Sequence, residues 1–567
     1  MKNQEIAKIL YDIADLLEIK GEMVFKLRAY RRAAQSIESM SRDIEDVYGE
    51  GKLEEIPGVG RGIAEKIIEY LEKGKSKYLE ELKKGLPPGF DELLAVEGIG
   101  PKKVKLFYEK LKIKNIKELE SACRQGKLRD IPTLGEKTEQ NILKSIEASK
   151  KRGGRILLGH ALLIADEIVN EMKKNKEVER IDVAGSLRRM RETIGDIDIL
   201  VTSKKPNSVI DYFTKMKASS GTIARGPTKA SIRLTNGLQV DLRVLQDKEY
   251  GSALMYFTGS KQHNIDLRKI AIAKHLKLSE YGLFSGNKSV AGRTEEDVYK
   301  RLGLDYIEPE MRESRGEIEL AKKGKLPRLI NYNEIKGDLQ MHTRWSDGAN
   351  TIEEMALAAK RLGYEYICIT DHAGNLAIAN ALNKKRLEKQ RKEIDAINKH
   401  SEITILQGAE VDIRLDGRID IDNQTLSRLD IVLGSLHSAL KAGEEKNTRR
   451  IMAAMENPHV DIIAHPTGRL LDRREGAQLD MEKIIEKARE TNTVLEIDAQ
   501  PERLDLGDVN ARAAVEKGCL LSIDTDAHST DQLRHMKVGI ATARRGWVTR
   551  EKVINTHSLE KMKKMLK

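Results

Sequence analysis

Cysteine is scarce. Cys123, Cys368 and Cys519 are the three cysteines in 567 residues. A set this small, odd and scattered argues against a disulfide framework or a cysteine zinc site, and it fits a reducing cytoplasm. Long apolar runs are missing too: none approaches the roughly 18 residues that span a bilayer. The opening stretch, MKNQEIAKILYDIADLLEIKG, alternates charged with apolar residues and has no hydrophobic leader core. A secretory leader is therefore not expected. What remains is 40% hydrophobic and 33% charged residues. That composition suits a water-soluble, cytoplasmic globular protein. At roughly 100–200 residues per domain, it predicts three or four domains.

The net charge of +11 is unevenly spread. Residues 1–150 hold 29 Lys+Arg and 27 Asp+Glu, residues 151–330 hold 34 and 24, and residues 331–567 hold 37 and 38. The excess sits in the middle third, which points weakly to a polyanionic partner. Nine of the 12 histidines follow residue 339.

The N-terminal third reads as short amphipathic helices broken by Gly and Pro. It carries a near-repeat: IPGVGRGIAEKIIEY (56–70), VEGIGPKKVKLFYE (96–109) and IPTLGEKTEQNILK (131–144). Each is an apolar residue, a glycine turn and a helix. Such a turn exposes backbone N–H groups at the positive end of a helix dipole, a setting for phosphate. These contacts grip a nucleic-acid backbone without reading its sequence. The pattern resembles the helix-hairpin-helix motif, through Gly58, Gly60 and Gly62 in the first copy and Gly98 and Gly100 in the second. The third copy has Thr133 where a glycine is usual.

In the middle third, IDVAGSLRRM is followed by GDIDILV and, later, by LQVDLRV. Strand side chains alternate, so Asp196 and Asp198 share one face while Ile197 and Ile199 point into a core. Asp241 and Arg243 share a face in the same way. Three carboxylates on neighbouring strands repel one another unless cations neutralise them. Hard divalent ions, Mg²⁺ above all, are the natural solution, and a pair of them can drive an in-line displacement at phosphorus. Ser186 and Arg189, just after Gly185, suit a triphosphate.

The set GSLRRM…GDIDI, with YFTGSKQHN (256–264) and Arg268 downstream, resembles the nucleotidyltransferase signature of the family X DNA polymerases. The resemblance implies that Asp196 and Asp198 bind two Mg²⁺ ions, and that Asp241 binds the catalytic one and helps activate the primer 3′-hydroxyl. It gives Gly185, Ser186 and Arg189 to the nucleotide's phosphates, and Tyr256, Phe257 and Gly259 to its sugar pocket. Asn264 would reach the base and Arg268 the template strand, with Arg243 supporting the aspartates. FKLRAYRRAA followed by GVGRGIAEK resembles the family's end-binding domain, whose lyase lysine corresponds to Lys66. The second lysine that usually accompanies it falls at Gly62.

The C-terminal third places His, Asp or Glu at the ends of short apolar strands: His342 and Asp347 after KGDLQ, then His372, Glu410, His437, His465, Asp526 and His528. Strand–loop–helix alternation predicts a parallel (β/α) barrel with its site at the strand C-termini. Histidine mixed with carboxylate suits Zn²⁺, Mn²⁺ or Fe²⁺ in a phosphoesterase cluster. The pattern resembles the PHP (polymerase and histidinol phosphatase) domain, with these eight residues as ligands to as many as three Mn²⁺ or Zn²⁺ ions. Gln340 stands where that family has a histidine. A neutral amide is a weaker ligand, so one metal position lacks a strong donor. The resemblance also implies Mn²⁺-dependent 3′→5′ exonuclease activity and, in some members, cutting at abasic sites.

The expected architecture is multidomain. Residues 1–85 form a helical end-binding domain and 86–150 a second helix-hairpin-helix region. An α+β nucleotidyltransferase core with its nucleotide-binding part covers 151–315, a linker 316–335, and a PHP barrel 336–567. The expected protein is a monomer that fills short gaps in base excision repair. Its substrates would be gapped or nicked DNA and dNTPs, with no membrane partner. Two other functions stay open on the residues alone: another nucleotidyltransferase acting on nucleic-acid 3′ ends, and a DNA-end-binding scaffold with a vestigial nuclease.

Overall fold

The computed structural model describes residues 2–567 apart from 20–21, 40–43, 57, 84–92, 94–95, 97–98, 100, 130, 132–133, 136–137, 141, 144–145, 147–154, 376–378 and 472. Helices fill the N-terminal part. Lys2–Ile19 and Val24–Ser39 pack against each other. Ile6, Leu10, Ile13 and Leu17 recur at helical spacing and are all buried in that core. The helix Arg61–Lys73 follows the first glycine turn, with Gly60 as its N-cap and no side chain capping it.

The middle part is built on strands. The short pair β1 (Ile156–Leu157) and β3 (Thr193–Ile194) flanks a larger sheet. That sheet holds β2 (Arg180–Val183), β4 (Asp196–Thr202), β5 (Ser219–Arg225), β6 (Lys229–Leu234) and β7 (Gln239–Leu245), in the order β2-β4-β7-β6-β5. Only β4 and β7 run parallel; the other pairs are antiparallel. Ile197, Ile199, Val240 and Leu242 alternate into the core beneath the helices Leu158–Met172 and Pro206–Thr214. That leaves the opposite face for the aspartates. The helices Tyr250–Thr258, Lys261–Ala273 and Glu295–Leu302 follow, around a small sheet of β8 (Lys277–Ser279), β9 (Gly282–Ser285) and β10 (Lys288–Ala291).

The segment expected to be a linker is packed. It contains the helix Glu317–Lys322, and Ile318, Ala321, Leu329 and Ile330 are buried. The Ile330 N–H donates to the Val548 carbonyl at 3.0 Å. Apolar residues hidden among charges, Gly and Pro give this stretch partners that its composition conceals.

The C-terminal part is the predicted parallel barrel. Its strands are β11 (Gly337–Asp338), β12 (Tyr366–Ile369), β13 (His372–Ala373), β14 (Thr404–Asp412), β15 (Ile431–Ser435), β16 (Ile462–Ile463), β17 (Val494–Asp498) and β18 (Leu521–Asp524). They run in the order β11-β12-β14-β15-β16-β17-β18, with β13 beside β14, and every pair is parallel. Strands covered on both faces read as continuous apolar runs, as in YICI and IVLGS. The last strand nearly meets the first. Met341 and Ala527 form a parallel bridge, and the Leu339 N–H donates to Asp524 Oδ1 at 2.8 Å. Among the described residues, no helix is long and apolar enough to cross a membrane.

Candidate active sites

The first site grows out of strand register. Asp198 on β4 lies directly opposite Asp241 on β7, and Asp196 lies opposite Gln239. All three carboxylates therefore share the sheet's open face. Burial pushes the Asp198 carboxyl up, and Asp196 and Asp241 beside it push it further, to about 7. That is the repulsion a bound cation would relieve. Gln239 Nε2 holds both oxygens of Asp241 at 3.1 Å. Gly185 has φ +63, and a Cβ there would collide with Asp198 Oδ2. The glycine thus clears room for the carboxylate as well as opening the turn.

The residues expected around the nucleotide gather nearby. The Arg243 guanidinium lies 4.3 Å from the Phe257 ring centre, and Phe257 meets Tyr256 edge-on at 5.1 Å. Asn264 Nδ2 donates to the Tyr256 carbonyl at 2.7 Å. Arg189 Nε donates to Glu313 Oε1 at 3.0 Å, and its Nη1 donates to the Thr258 carbonyl. A Cβ on Gly259 would sit 3.1 Å from Arg189 Nη1, so that glycine also marks a close approach. Ser186 is half-buried on the turn of helix Gly185–Arg188, and Arg268 is half-buried on Lys261–Ala273. Neighbouring Arg188 is structural: its guanidinium forks onto Glu295 at 2.9 and 2.6 Å.

The N-terminal glycines divide. A Cβ on Gly58 would lie 2.9 Å from Arg32 Cγ and 3.0 Å from Ala33 N, so Gly58 serves close helix packing. Gly60 and Gly62 face open space and leave the helix start free for an anion. Lys66 Nζ donates to the Gly62 carbonyl at 2.8 Å and sits 4.7 Å from the Tyr78 ring centre. Gly98 and Gly100 lie outside the described residues.

The second site sits at the C-terminal ends of the barrel strands. Its eight expected ligands converge. His342 Nε2 is 3.1 Å from Asp526 Oδ1 and 3.3 Å from Glu410 Oε2. His437 Nε2 and His465 Nε2 approach Glu410 Oε1 at 3.0 and 2.8 Å. His372 and His528 approach Asp347 Oδ2 at 3.7 and 3.6 Å. Three donor groups result, each with ligand atoms within 4.8 Å of one another: His342–Asp347–His372–His528, His372–Glu410–His437 and His342–Glu410–Asp526. Buried nitrogens of His342, His372 and His465 lack hydrogen-bond partners among the described residues, as ligands to a metal would. Burial opposes charge on His342, but Asp526 and Glu410 outweigh it and hold its pKa well above the ordinary histidine value. Cations at these positions would displace such protons. The donor set therefore fits divalent metal.

Gln340 is fully buried beside this cluster, its Nε2 3.5 Å from Asp526 Oδ1. Turned over, its amide nitrogen donates to Glu496 Oε2 at 3.0 Å.

Four protein families match parts of the chain. A helix-hairpin-helix domain matches residues 1–76, a SAM-like helix-hairpin-helix tandem 90–148, the DNA polymerase beta thumb 253–313 and the PHP domain 338–499. The DNA polymerase/3′-5′ exonuclease PolX of Bacillus subtilis (strain 168) is 39% identical over 572 residues, covering 100% of both chains. The chain belongs to the family X DNA polymerases. DNA polymerase lambda of Rattus norvegicus is 26% identical over 342 residues, 55% of this chain and 56% of that one. A probable phosphatase of Caldanaerobacter subterraneus subsp. tengcongensis is 31% identical over 244 residues, 40% of this chain and 90% of that one.

For a family X chain, two features of the barrel site went unread in the sequence. Arg503 Nε lies 3.3 Å from Asp498 Oδ2 and 3.7 Å from Asp526 Oδ2, bringing a cation to the edge of the cluster. Glu496 and Asp498, at the end of β17, are fully buried next to it. The signal was present: VLEID ends in carboxylates, like the strands that supply ligands. Asp371, adjacent to His372, is occupied with structure instead. It accepts from Thr343, Ser346 and Gln390 and fixes the loop that carries His342 and Asp347.

Proposed function

We propose that this family X polymerase extends a DNA 3′ end against a template at the Asp196–Asp198–Asp241 site, and that its barrel removes nucleotides 3′→5′. The observation that carries the synthetic reading is the register: two strands place three carboxylates on one face, at a spacing local to the sheet. Two Mg²⁺ ions held there would supply charge neutralisation for in-line attack on the α-phosphorus and departure of pyrophosphate. Asp241 helps activate the 3′-hydroxyl. Ser186 and Arg189 hold the β- and γ-phosphates beside Gly185. Tyr256, Phe257 and Gly259 bound the sugar, Asn264 reaches the base edge and Arg268 the template. Arg243, stacked on Phe257, supports the aspartates.

The barrel reading rests on the eight converging ligands, with Mn²⁺ or Zn²⁺ as the cations that suit imidazole and carboxylate together. The substrates are gapped or nicked DNA and dNTPs, and the role is short-gap filling with end trimming in base excision repair. The chain works as a cytoplasmic monomer. Lys66, engaged with Gly62 and Tyr78, fits phosphate contact better than Schiff-base chemistry. The N-terminal turns at Gly60 and Gly62, and at Gly98 and Gly100, grip the DNA backbone.

One experiment tests both readings. A one-nucleotide gapped duplex, labelled at the primer 5′ end, is incubated with dNTPs and either Mg²⁺ or Mn²⁺. Lengthening with Mg²⁺ and shortening with Mn²⁺ are expected. Neither change under any metal would leave only the end-binding scaffold.

A further inference from the structure

Arg189 does not stand alone in its pocket. Its Nε is held by Glu313 Oε1 at 3.0 Å and its Nη1 by the Thr258 carbonyl. The same Glu313 oxygen receives Arg545 Nη1 at 3.1 Å. Arg545 Nη1 also donates to the backbone carbonyl of Arg189 itself at 2.8 Å. Its other nitrogen, Nη2, donates to Asp508 Oδ2 at 2.7 Å, which also pairs with Arg315 Nη1 at 3.1 Å. Arg545 lies on the barrel helix Met536–Arg545, which packs against β17 and β18. The side chains of Arg189, Glu313 and Arg545 are 14%, 13% and 2% exposed.

We infer that Glu313 and Arg545 are positioning residues for the incoming triphosphate, and that the barrel thereby builds part of the polymerase's nucleotide pocket. The inference rests on reading Arg189 as a phosphate-binding residue. The geometry favours it in two ways. First, Glu313 holds Nε and the Thr258 carbonyl holds Nη1, so the guanidinium is fixed from two sides and Nη2 is left for an anion. A guanidinium fixed by two acceptors loses little freedom when the third partner arrives. Second, a lone carboxylate beside a triphosphate site repels the ligand. Arg545, with Arg191 Nη1 at 3.8 Å, offsets the Glu313 charge. Arg545 thus makes Glu313 tolerable as an anchor.

The test uses the full chain with Arg545→Met, Arg545→Lys, Glu313→Gln and Arg189→Ala, and single-nucleotide gap filling in Mg²⁺. Arg545→Met is expected to raise the dNTP KM roughly tenfold with kcat changed much less. Gapped-DNA affinity and Mn²⁺-dependent resection should stay at the parent level. Arg545→Lys should recover part of the loss, and Glu313→Gln, which is nearly isosteric, should raise KM in the same direction. The double variant should cost less than the sum of the two singles, because both act on one guanidinium. A parental KM in Glu313→Gln and Arg545→Met would overturn the inference. So would an equal loss of extension and resection, the mark of a merely structural contact. Arg189→Ala separates the two levels. If it raises KM while Arg545→Met does not, the phosphate-binding reading stands and the inference fails. If it leaves KM unchanged, the reading beneath the inference fails too.

Discussion

The two proposed metal sites of this chain are built in opposite ways. The polymerase set is three carboxylates from two adjacent strands, within 46 residues of sequence, open on the solvent side. The barrel set is five histidines and three carboxylates spread between residues 342 and 528; His342, His372, Glu410, His465 and Asp526 are buried, His437 and His528 are half-buried and Asp347 is exposed. Oxygen-only donors suit a hard ion that keeps waters and swaps substrates; buried imidazole suits a borderline ion held in place. The open site must meet a nucleotide and a primer end in every cycle. The more enclosed one would present a fixed cluster to a DNA 3′ end. The contrast teaches that donor type and burial alone would let one polypeptide favour different cations at two sites.

The strongest way to break this comparison is to strip one site and watch the other. Asp196→Ala with Asp198→Ala should lower primer extension by roughly a thousandfold or more, the scale of several kcal/mol of transition-state stabilisation. Resection in Mn²⁺ should persist. Retained extension on a gapped duplex would show that these aspartates are not the polymerase ligands. Conversely, His342→Ala touches two of the three donor groups. It should abolish resection and cut bound metal, read by elemental analysis of the purified protein, while extension survives.

A smaller effect concerns the frame of the polymerase site. Glu295 is buried between Arg312 Nη1 at 2.6 Å and the Arg188 fork. Burial pushes its carboxyl up, but the two guanidinium groups outweigh it and hold it at about 2. Its stabilising share is therefore complete above the ordinary value of 4.5 and is lost as pH falls toward 2. Glu295→Gln should cost about 3–5 kcal/mol, because it leaves buried guanidinium charge uncompensated. Thermal melts should show the variant's deficit shrinking between pH 5 and pH 3. A deficit that is flat with pH would mean the pair adds no charge-dependent stability.

The smallest effect separates the DNA grip from both sites. Lys66→Ala removes one half-buried cation beside the Gly60–Gly62 turn. It should weaken gapped-DNA binding modestly and lower the salt slope of log K by about 1. Borohydride should trap no adduct with an abasic 5′-phosphate end that depends on Lys66. A Lys66-dependent adduct would instead make this lysine a nucleophile.

What the sequence revealed follows from how local each feature is. Asp-x-Asp and VDLRV obey the period-two rule within one strand, so the shared carboxylate face was readable before any fold was known. His372, Glu410 and His437 each follow a short apolar run and could be read one at a time. Their company could not. That Glu410 meets four histidines depends on how the parallel strands close. The nearness of Arg503 to Asp526 depends on β17 and β18 being neighbours. Arg189 was readable as a phosphate ligand, but its partners Glu313 and Arg545 lie 124 and 356 residues away. The packing of the stretch 316–335 is not legible in its composition, because Ile330 finds its partner at Val548, across the chain. Gly58 was read as a phosphate contact, and its tight seat against Ala33 emerges only once the helices pack.

The near-meeting of the first and last barrel strands has a consequence for synthesis on the ribosome. His342 and Asp526 belong to one donor group, so that group cannot assemble until almost the whole chain has emerged. The three polymerase aspartates are all present by residue 241. Domains tend to fold in order as the chain leaves the tunnel. A translating chain therefore holds the carboxylates proposed for building DNA long before it can hold the cluster proposed for degrading it, and a truncated product would inherit that imbalance.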